Sequence, residues 1–144
     1  MFVSNQPIRA SLTSLRRRCF KSICVCVALL AGSVIVSAEN LTGHVIGIAD
    51  GDTLTVQAER QRVRVRINGI DAPEMRQTFG QSSRRSLSRM VFQKDVRLDC
   101  HKTDRYKRKV CKVWVQPSDC PTCGMTLDVG HAQLVAGMAW WFRE

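Results

Sequence analysis

Gln61-Arg62-Val63-Arg64-Val65-Arg66-Ile67-Asn68-Gly69-Ile70-Asp71-Ala72-Pro73-Glu74 is the stretch on which the fold turns. Val63, Val65 and Ile67 alternate with Arg62, Arg64 and Arg66, and successive side chains of a strand project to opposite faces. The run Gln61 to Asn68 therefore reads as a strand with its apolar set on a core and three guanidiniums on the other face, where they can meet an anion. After the turn at Asp71-Ala72-Pro73-Glu74 the period changes. Phe79, Leu87, Met90 and Val91 recur at helical spacings, with Arg84, Arg85 and Arg89 on the polar side, which predicts a helix over roughly Gln81 to Phe92.

Working outward, Leu41 to Ile48 and Thr53 to Ala58 are two further β-rich runs, punctuated by Asp50-Gly51-Asp52 and Glu59-Arg60, so the first three strands form an antiparallel meander. Downstream, Asp95 to Asp99 and Arg108 to Val115 alternate again and predict a second hairpin joined around Thr103 to Lys107. A loop with Pro117 and Pro121 leads to Asp128, a plausible N-cap, and to a short helix ending near Gly137, which suits a C-cap. Three strands, a helix, two strands and a short helix give a mainly β, α+β chain. The order is that of an OB-fold, a five-stranded Greek-key barrel with a helix between its third and fourth strands.

The 144 residues carry 22 Lys+Arg against 12 Asp+Glu, a formal charge of +10, and 44% are hydrophobic. This excludes a disordered tail and a multi-pass membrane protein, and the length fits one domain. Arg9, Arg16, Arg17, Arg18 and Lys21 are followed by an apolar run, Ser22 to Val36, with no acid in the first 38 residues, and Val36-Ser37-Ala38 offers small residues for cleavage. That layout reads as a signal peptide over 1–38, removed after Ala38, rather than a membrane anchor, because the run is shorter than the roughly 20 residues of a spanning helix. The expectation is an exported protein, periplasmic or secreted, with no stable membrane insertion after cleavage. It would consist of one domain over 39–144 that keeps about half the positive charge, enough to favour a polyanionic partner.

Cys19, Cys24 and Cys26 fall within the signal, leaving Cys100, Cys111, Cys120 and Cys123. Four cysteines in an exported chain read as two disulfides, with three connectivities that sequence cannot separate. Cys100 with Cys111 and Cys120 with Cys123 is the expected pairing, with a zinc site or a redox Cys-Pro-Thr-Cys pair as the alternatives.

Four small clusters carry chemistry: Asp50-Gly51-Asp52-Thr53, Arg66, Asp71-Ala72-Pro73-Glu74, and Asp104-Arg105-Tyr106-Lys107-Arg108. Each alone is an ordinary turn or charge run. Together they supply what metal-assisted phosphodiester hydrolysis needs: hard oxygen ligands, a positioned water, and cations to neutralise charge building on phosphorus. Asp52 and Asp71 can converge on one cation, with a backbone carbonyl and water completing its shell. Glu74 could reach that water as base or orienting group, and Arg66 and Arg108 can grip a phosphate in bidentate fashion.

From about His44 to Ala139 the chain resembles the staphylococcal nuclease (thermonuclease) family. Its signature is an Asp-Gly-Asp-Thr turn, an arginine strand running into Ile-Asp-x-Pro-Glu, and an Asp-Arg-Tyr-Gly-Arg loop. The resemblance implies an OB-fold and calcium-dependent cleavage of DNA and RNA; the chain is expected to act as a monomer. It also implies that Arg66, Glu74 and Arg108 are catalytic, and that Asp52 and Asp71 are Ca2+ ligands. The Ala72 carbonyl would be a further ligand, with Glu74 near the metal through water. Tyr106 falls where a family tyrosine contacts a nucleotide phosphate, and Arg64 can help steer the substrate. Lys107 stands where the family loop usually has Gly. If φ is positive there, the substitution costs on the order of 1 kcal/mol and shifts Arg108. The family usually continues past a segment like Trp140-Trp141-Phe142 into another helix, and these aromatics read as core or as contacts of such a helix rather than as a base-stacking platform. His44, His101 and His131 lack ligand-like spacing and read as surface or capping residues. The rival to a nuclease is a non-catalytic OB-fold module that binds nucleic acid through its basic face.

Overall fold

The computed structural model describes residues 39–143; the signal peptide expected over 1–38 lies outside them. Among the described residues no helix is long and apolar enough to cross a membrane. The elements are β1 (Glu39–Ile48), β2 (Thr53–Ala58), β3 (Gln61–Ile67), β4 (Ile70–Asp71), α1 (Gly80–Val91), β5 (Asp95–Thr103), β6 (Lys109–Val115), β7 (Leu127–Asp128), α2 (Val129–Val135) and β8 (Trp140–Trp141).

β1, β2 and β3 form the antiparallel meander, β5 pairs antiparallel with β1 and with β6, and a parallel pairing of β3 with β6 closes a five-stranded barrel. That closure sets Arg66 opposite Val110 and Ile67 opposite Cys111. β7 extends the sheet beyond β6, and β4 pairs with β8 in a separate two-stranded ribbon. The expected OB topology, with α1 between the third and fourth barrel strands, is the topology observed. The two-residue strands β4, β7 and β8 were not expected, because two residues are too few to show a period.

The barrel interior is aliphatic: Val45, Leu54, Val56, Val65, Val96, Leu98 and Val113 are wholly buried. α1 contributes Leu87 and Val91 to the same cluster. Full burial of a Leu is worth about 1.5–3 kcal/mol, so this one helical stripe accounts for much of the helix's attachment. Phe79 is a correction to the expected helical stripe. It precedes α1 in a left-handed conformation, with φ 66°, and is 71% exposed.

α2 begins as its sequence predicts, with the Asp128 carboxylate accepting from the His131 N–H at 3.1 Å. It ends with the Gly137 N–H on the Leu134 carbonyl and the Met138 N–H on the Gln133 carbonyl, Gly137 lying at φ 64°. This is the paired hydrogen-bond pattern of a Schellman cap. Cys100–Cys111 bridges two directly paired positions of β5 and β6, and Cys120–Cys123 closes the loop that leads to β7. Trp140, Trp141 and Phe142 correct the core expectation: they are exposed, held by the β4–β8 ribbon and by the Phe142 N–H on the Gly69 carbonyl.

Candidate active site

The turn between β1 and β2 brings Asp50, Gly51 and Asp52 to the same end of the barrel as the β3–β4 corner. Asp52 sits just before Thr53, and Thr53 pairs with Arg66 across β2 and β3. Arg66 then reaches both carboxylates at once. Nη1 donates to Asp52 Oδ2 at 2.9 Å and Nη2 to Asp71 Oδ1 at 2.7 Å. The Ala72 N–H also donates to Asp52 Oδ2, and Thr53 Oγ1 donates to Asp52 Oδ1. Asp52, Arg66, Asp71 and Ala72, drawn from three separate segments, thus form one hydrogen-bonded cluster.

Asp52 is almost completely buried, at 3% exposure. Burial pushes its carboxyl up to about 6, against the lowering effects of the Thr53 hydroxyl and the Arg66 charge, and the nearby Asp50 carboxylate adds to the rise. Burial works to lower the Arg66 pKa, but the Asp71 hydrogen bond and the Asp52, Asp71 and Asp50 charges raise it overall. Three carboxylates therefore act on one guanidinium, and the pocket carries more negative charge than Arg66 offsets. Such a cluster of hard oxygens suits a divalent cation such as calcium. Among the described residues no three His, Cys, Asp or Glu side chains form a ready metal-holding group, so backbone carbonyls and water would have to complete the shell.

Arg108 arrives from the other side of the closing seam. Asp104 organises its loop by accepting from the backbone N–H groups of Tyr106 and Arg108 and from Arg108 Nε at 2.8 Å. These bonds hold the Asp104 carboxyl below its ordinary value despite some burial. Arg108 Nη1 reaches Thr53 Oγ1 at 3.3 Å, and so joins the Asp52 cluster through one hydroxyl. Lys107 does adopt a positive φ of 62°, and Arg108 is nevertheless held in this network. Tyr106 is 61% exposed, with the guanidiniums of Arg105 and Arg108 4.8 and 5.3 Å from its ring centre. Arg64 is exposed on β3.

Glu74 stands apart from this hydrogen-bonded cluster. It is exposed on a turn whose form comes from the Gln77 side chain accepting from the Glu74 N–H, at 2.8 Å, and from the Gln77 N–H on the Glu74 carbonyl, also 2.8 Å. Gly80 closes in behind: a Cβ there would overlap the Glu74 carbonyl.

Two supports escaped the sequence reading. One is Gly80, whose signal was a glycine opening a helix that has no capping side chain. The other is Gln133, wholly buried on α2, whose Nε2 donates to the Gly51 carbonyl at 2.8 Å and to the Ser83 carbonyl at 3.2 Å. Gln133 ties both helices to the Asp50–Asp52 turn. It lies four residues after Val129, on the buried face of α2, where a polar residue is itself the clue.

The model of the family described as staphylococcal nuclease homologue matches residues 64–144. The chain belongs to the staphylococcal nuclease family. It is 42% identical over 118 residues to a protein named ParB from Escherichia coli, covering 81% of this chain and 67% of that one. A protein described as an uncharacterized endonuclease from Haemophilus influenzae is 38% identical over 109 residues, 75% of this chain and 56% of its own length. The micrococcal nuclease of Shigella flexneri is 34% identical over 129 residues, 85% of this chain and 74% of that one. The staphylococcal nuclease match takes in β4, the Glu74 turn and the Arg108 loop, and it begins part-way along β3.

Proposed function

We propose that this chain is an exported, calcium-dependent nuclease in which Glu74 activates or orders a water for attack on a phosphodiester while Arg66 and Arg108 stabilise the transition state. Membership of a nuclease family makes it a phosphodiester hydrolase with nucleic acid as substrate. The observation that carries the finer reading is the convergence of Asp52, Arg66 and Asp71 in one part-buried, over-acidic cluster.

Asp52 and Asp71 would hold the cation, with the Ala72 carbonyl and water as further ligands; when bound, calcium supplies charge neutralisation at the phosphate and polarises water. The rest belongs to the chain's own groups. The Glu74 carboxylate accepts a proton from water as the water oxygen forms a bond to phosphorus, and the bond from phosphorus to the leaving sugar oxygen breaks, that oxygen taking a proton from solvent to leave as a hydroxyl. Charge gathers on the phosphoryl oxygens during that exchange. Arg66 and Arg108 approach from opposite sides of the β3–β6 seam and can each offer two N–H groups to those oxygens. Tyr106 and Arg64, both exposed, would contact the flanking strand of DNA or RNA. The two disulfides support export, because such bonds persist in oxidising compartments.

The test is cleavage of single-stranded DNA by the oxidised chain, with calcium and then with excess chelator, beside Glu74→Gln. Cutting should require calcium, and the variant should lose about 10²–10⁴-fold in kcat while melting at the wild-type temperature. A folded wild-type chain that binds the oligonucleotide without cutting it would sink the catalytic reading in favour of a binding module.

A further inference from the structure

Beside the acidic cluster lies a cleft of about 560 Å³ whose two lips come from different parts of the chain. One lip is the turn from Pro73 to Phe79, which includes Arg76; the other runs from Gly137 to Trp140. Phe79 is 71% exposed and Trp140 51% exposed, although both are large apolar groups in a domain that buries its aliphatic residues well. Their exposure is built into the backbone. Phe79 is held at φ 66°, where a non-glycine residue is costly, and Trp140 is fixed in the β8 strand.

Two connections tie this cleft to the reaction centre. Trp140 is paired directly with Asp71 across the β4–β8 ribbon, and Asp71 is one of the two carboxylates that hold Arg66. Pro73, on the opposite lip, immediately precedes Glu74. A polynucleotide whose phosphate lies among Arg66, Arg108 and Glu74 has these lips beside it, one joined to the site through Asp71 and the other through Pro73. Arg76 is the charged residue among those lining the cleft, and its sign suits a phosphodiester backbone. Aromatic faces beside a cation are the chemistry of unpaired-nucleotide binding, in which any base stacks because every base has a π-face.

We propose that Phe79 and Trp140 form a stacking subsite for one unpaired nucleotide next to the scissile phosphate, with Arg76 contacting the adjoining backbone. The subsite rests on the nuclease reading for its proximity to cleavage, but its binding can be measured without any cutting. The Pro73–Phe79 lip then has two duties: it carries Glu74 and it grips the neighbouring base.

The test uses the whole chain in excess chelator, with fluorescence anisotropy of a labelled octathymidylate and of an octamer in which every site is abasic. The abasic strand keeps the phosphates and removes what could stack. Wild type should bind octathymidylate about tenfold more tightly than the abasic strand, the low end of what stacking one base contributes. Phe79→Gly and Trp140→Ala should each lose most of that preference while binding the abasic strand as wild type does. Phe79→Gly suits the left-handed backbone and carries the test even if Trp140→Ala fails to fold. An undiminished base preference in Phe79→Gly overturns the subsite. So does a dimer in sedimentation that this substitution dissociates, since a second copy would then be what covers the aromatics. Cleavage in calcium is scored separately: cutting without base preference removes the subsite alone, and base preference without cutting removes the hydrolase mechanism alone.

Discussion

The site has a strand-borne half and a loop-borne half, and they are held by different physics. Asp52 and Arg66 sit at the ends of barrel strands and Asp71 in the short β4–β8 ribbon beside them, buried or half-buried; Asp52 and Arg66 each make two or more hydrogen bonds within the cluster or to the backbone, and Asp71 is held by Arg66 and by its pairing with Trp140. Glu74, Tyr106 and Arg108 ride on turns, where short local networks around Gln77 and Asp104 stand in for the sheet. A sheet fixes its residues by register, so that moving one means moving a ladder. A turn fixes its residues by one or two side chains, so that a single atom can displace it. The placement of Asp52, Arg66 and Asp71 is therefore robust in this molecule, and that of Glu74, the proposed base, is fragile.

The largest effect should come from breaking the fragile half alone. Gly80→Ala places a Cβ against the Glu74 carbonyl, and the neighbour in the way is backbone, which cannot swing aside. The turn must shift while the Asp52–Arg66–Asp71 cluster, held by its own hydrogen bonds and by the β4–β8 pairing, stays. A displacement near 1 Å at a catalytic group can cost on the order of 10² in rate, so kcat should fall by about that factor with calcium affinity retained. Combining the change with Glu74→Gln should add little, because the displaced group is then already disabled. A Gly80→Ala enzyme with wild-type kcat would show that the turn tolerates movement and that the contrast between the halves is false.

The same division governs what the sequence revealed. The arginine alternation of 61–67 exposed the third strand, and from it the meander, the helix and the OB order followed, because a period of two survives in any run long enough to count. Asp52, Arg66 and Asp71 could be placed together because neighbouring strand ends must meet. Nothing periodic reports how Glu74 is held, since the Gln77 side chain and the space left by Gly80 act through local shape. Gln133 was hidden for another reason: its partners, the Gly51 and Ser83 carbonyls, lie 82 and 50 positions away. The aromatic trio at 140–142 misled because large apolar residues usually find a core, and here the two-residue ribbon that displays them is too short to read.

The strand-borne half can be probed by pH in the absence of divalent cations. Asp52 is pushed up to about 6 in the folded chain, by burial first, from an ordinary 3.8. The folded state therefore takes up this proton before the unfolded state does. Unfolding free energy should rise as pH falls from 7 through 6 towards 4, by up to about 3 kcal/mol if this group acted alone. Asp104 works the other way: its lowered value gives stability that is present above its ordinary value and lost only as the pH falls below it, outside this window. Thermal melts in chelator between pH 7 and 5 should accordingly show a rise in wild type that Asp52→Asn removes. An equal slope in the variant would assign the rise elsewhere and would mean that burial of Asp52 is fully offset by Arg66 and Thr53.

The smallest effect belongs to Lys107, and it decides whether the Arg108 loop is as fragile as the Glu74 turn. Lys107 occupies φ 62°, where an L-residue with a Cβ is disfavoured and glycine is not, so Lys107→Gly should stabilise by up to about 1 kcal/mol after the greater unfolded-state freedom of glycine is set against it. Activity should barely change. Arg108 already donates to Asp104 through its backbone N–H and Nε and to Thr53 through Nη1 with Lys107 in place, so the conformation that glycine would ease is one the loop has reached. The informative quantity is the ratio of the two responses. A gain in melting temperature with constant kcat means that the Asp104 network absorbs the strain and leaves Arg108 where it was. A kcat rising about tenfold, equivalent to about 1.4 kcal/mol of transition-state stabilisation, would mean that Lys107 holds Arg108 off its phosphate. In that case both loop-borne groups would be limited by a single backbone position, Glu74 by Gly80 and Arg108 by Lys107.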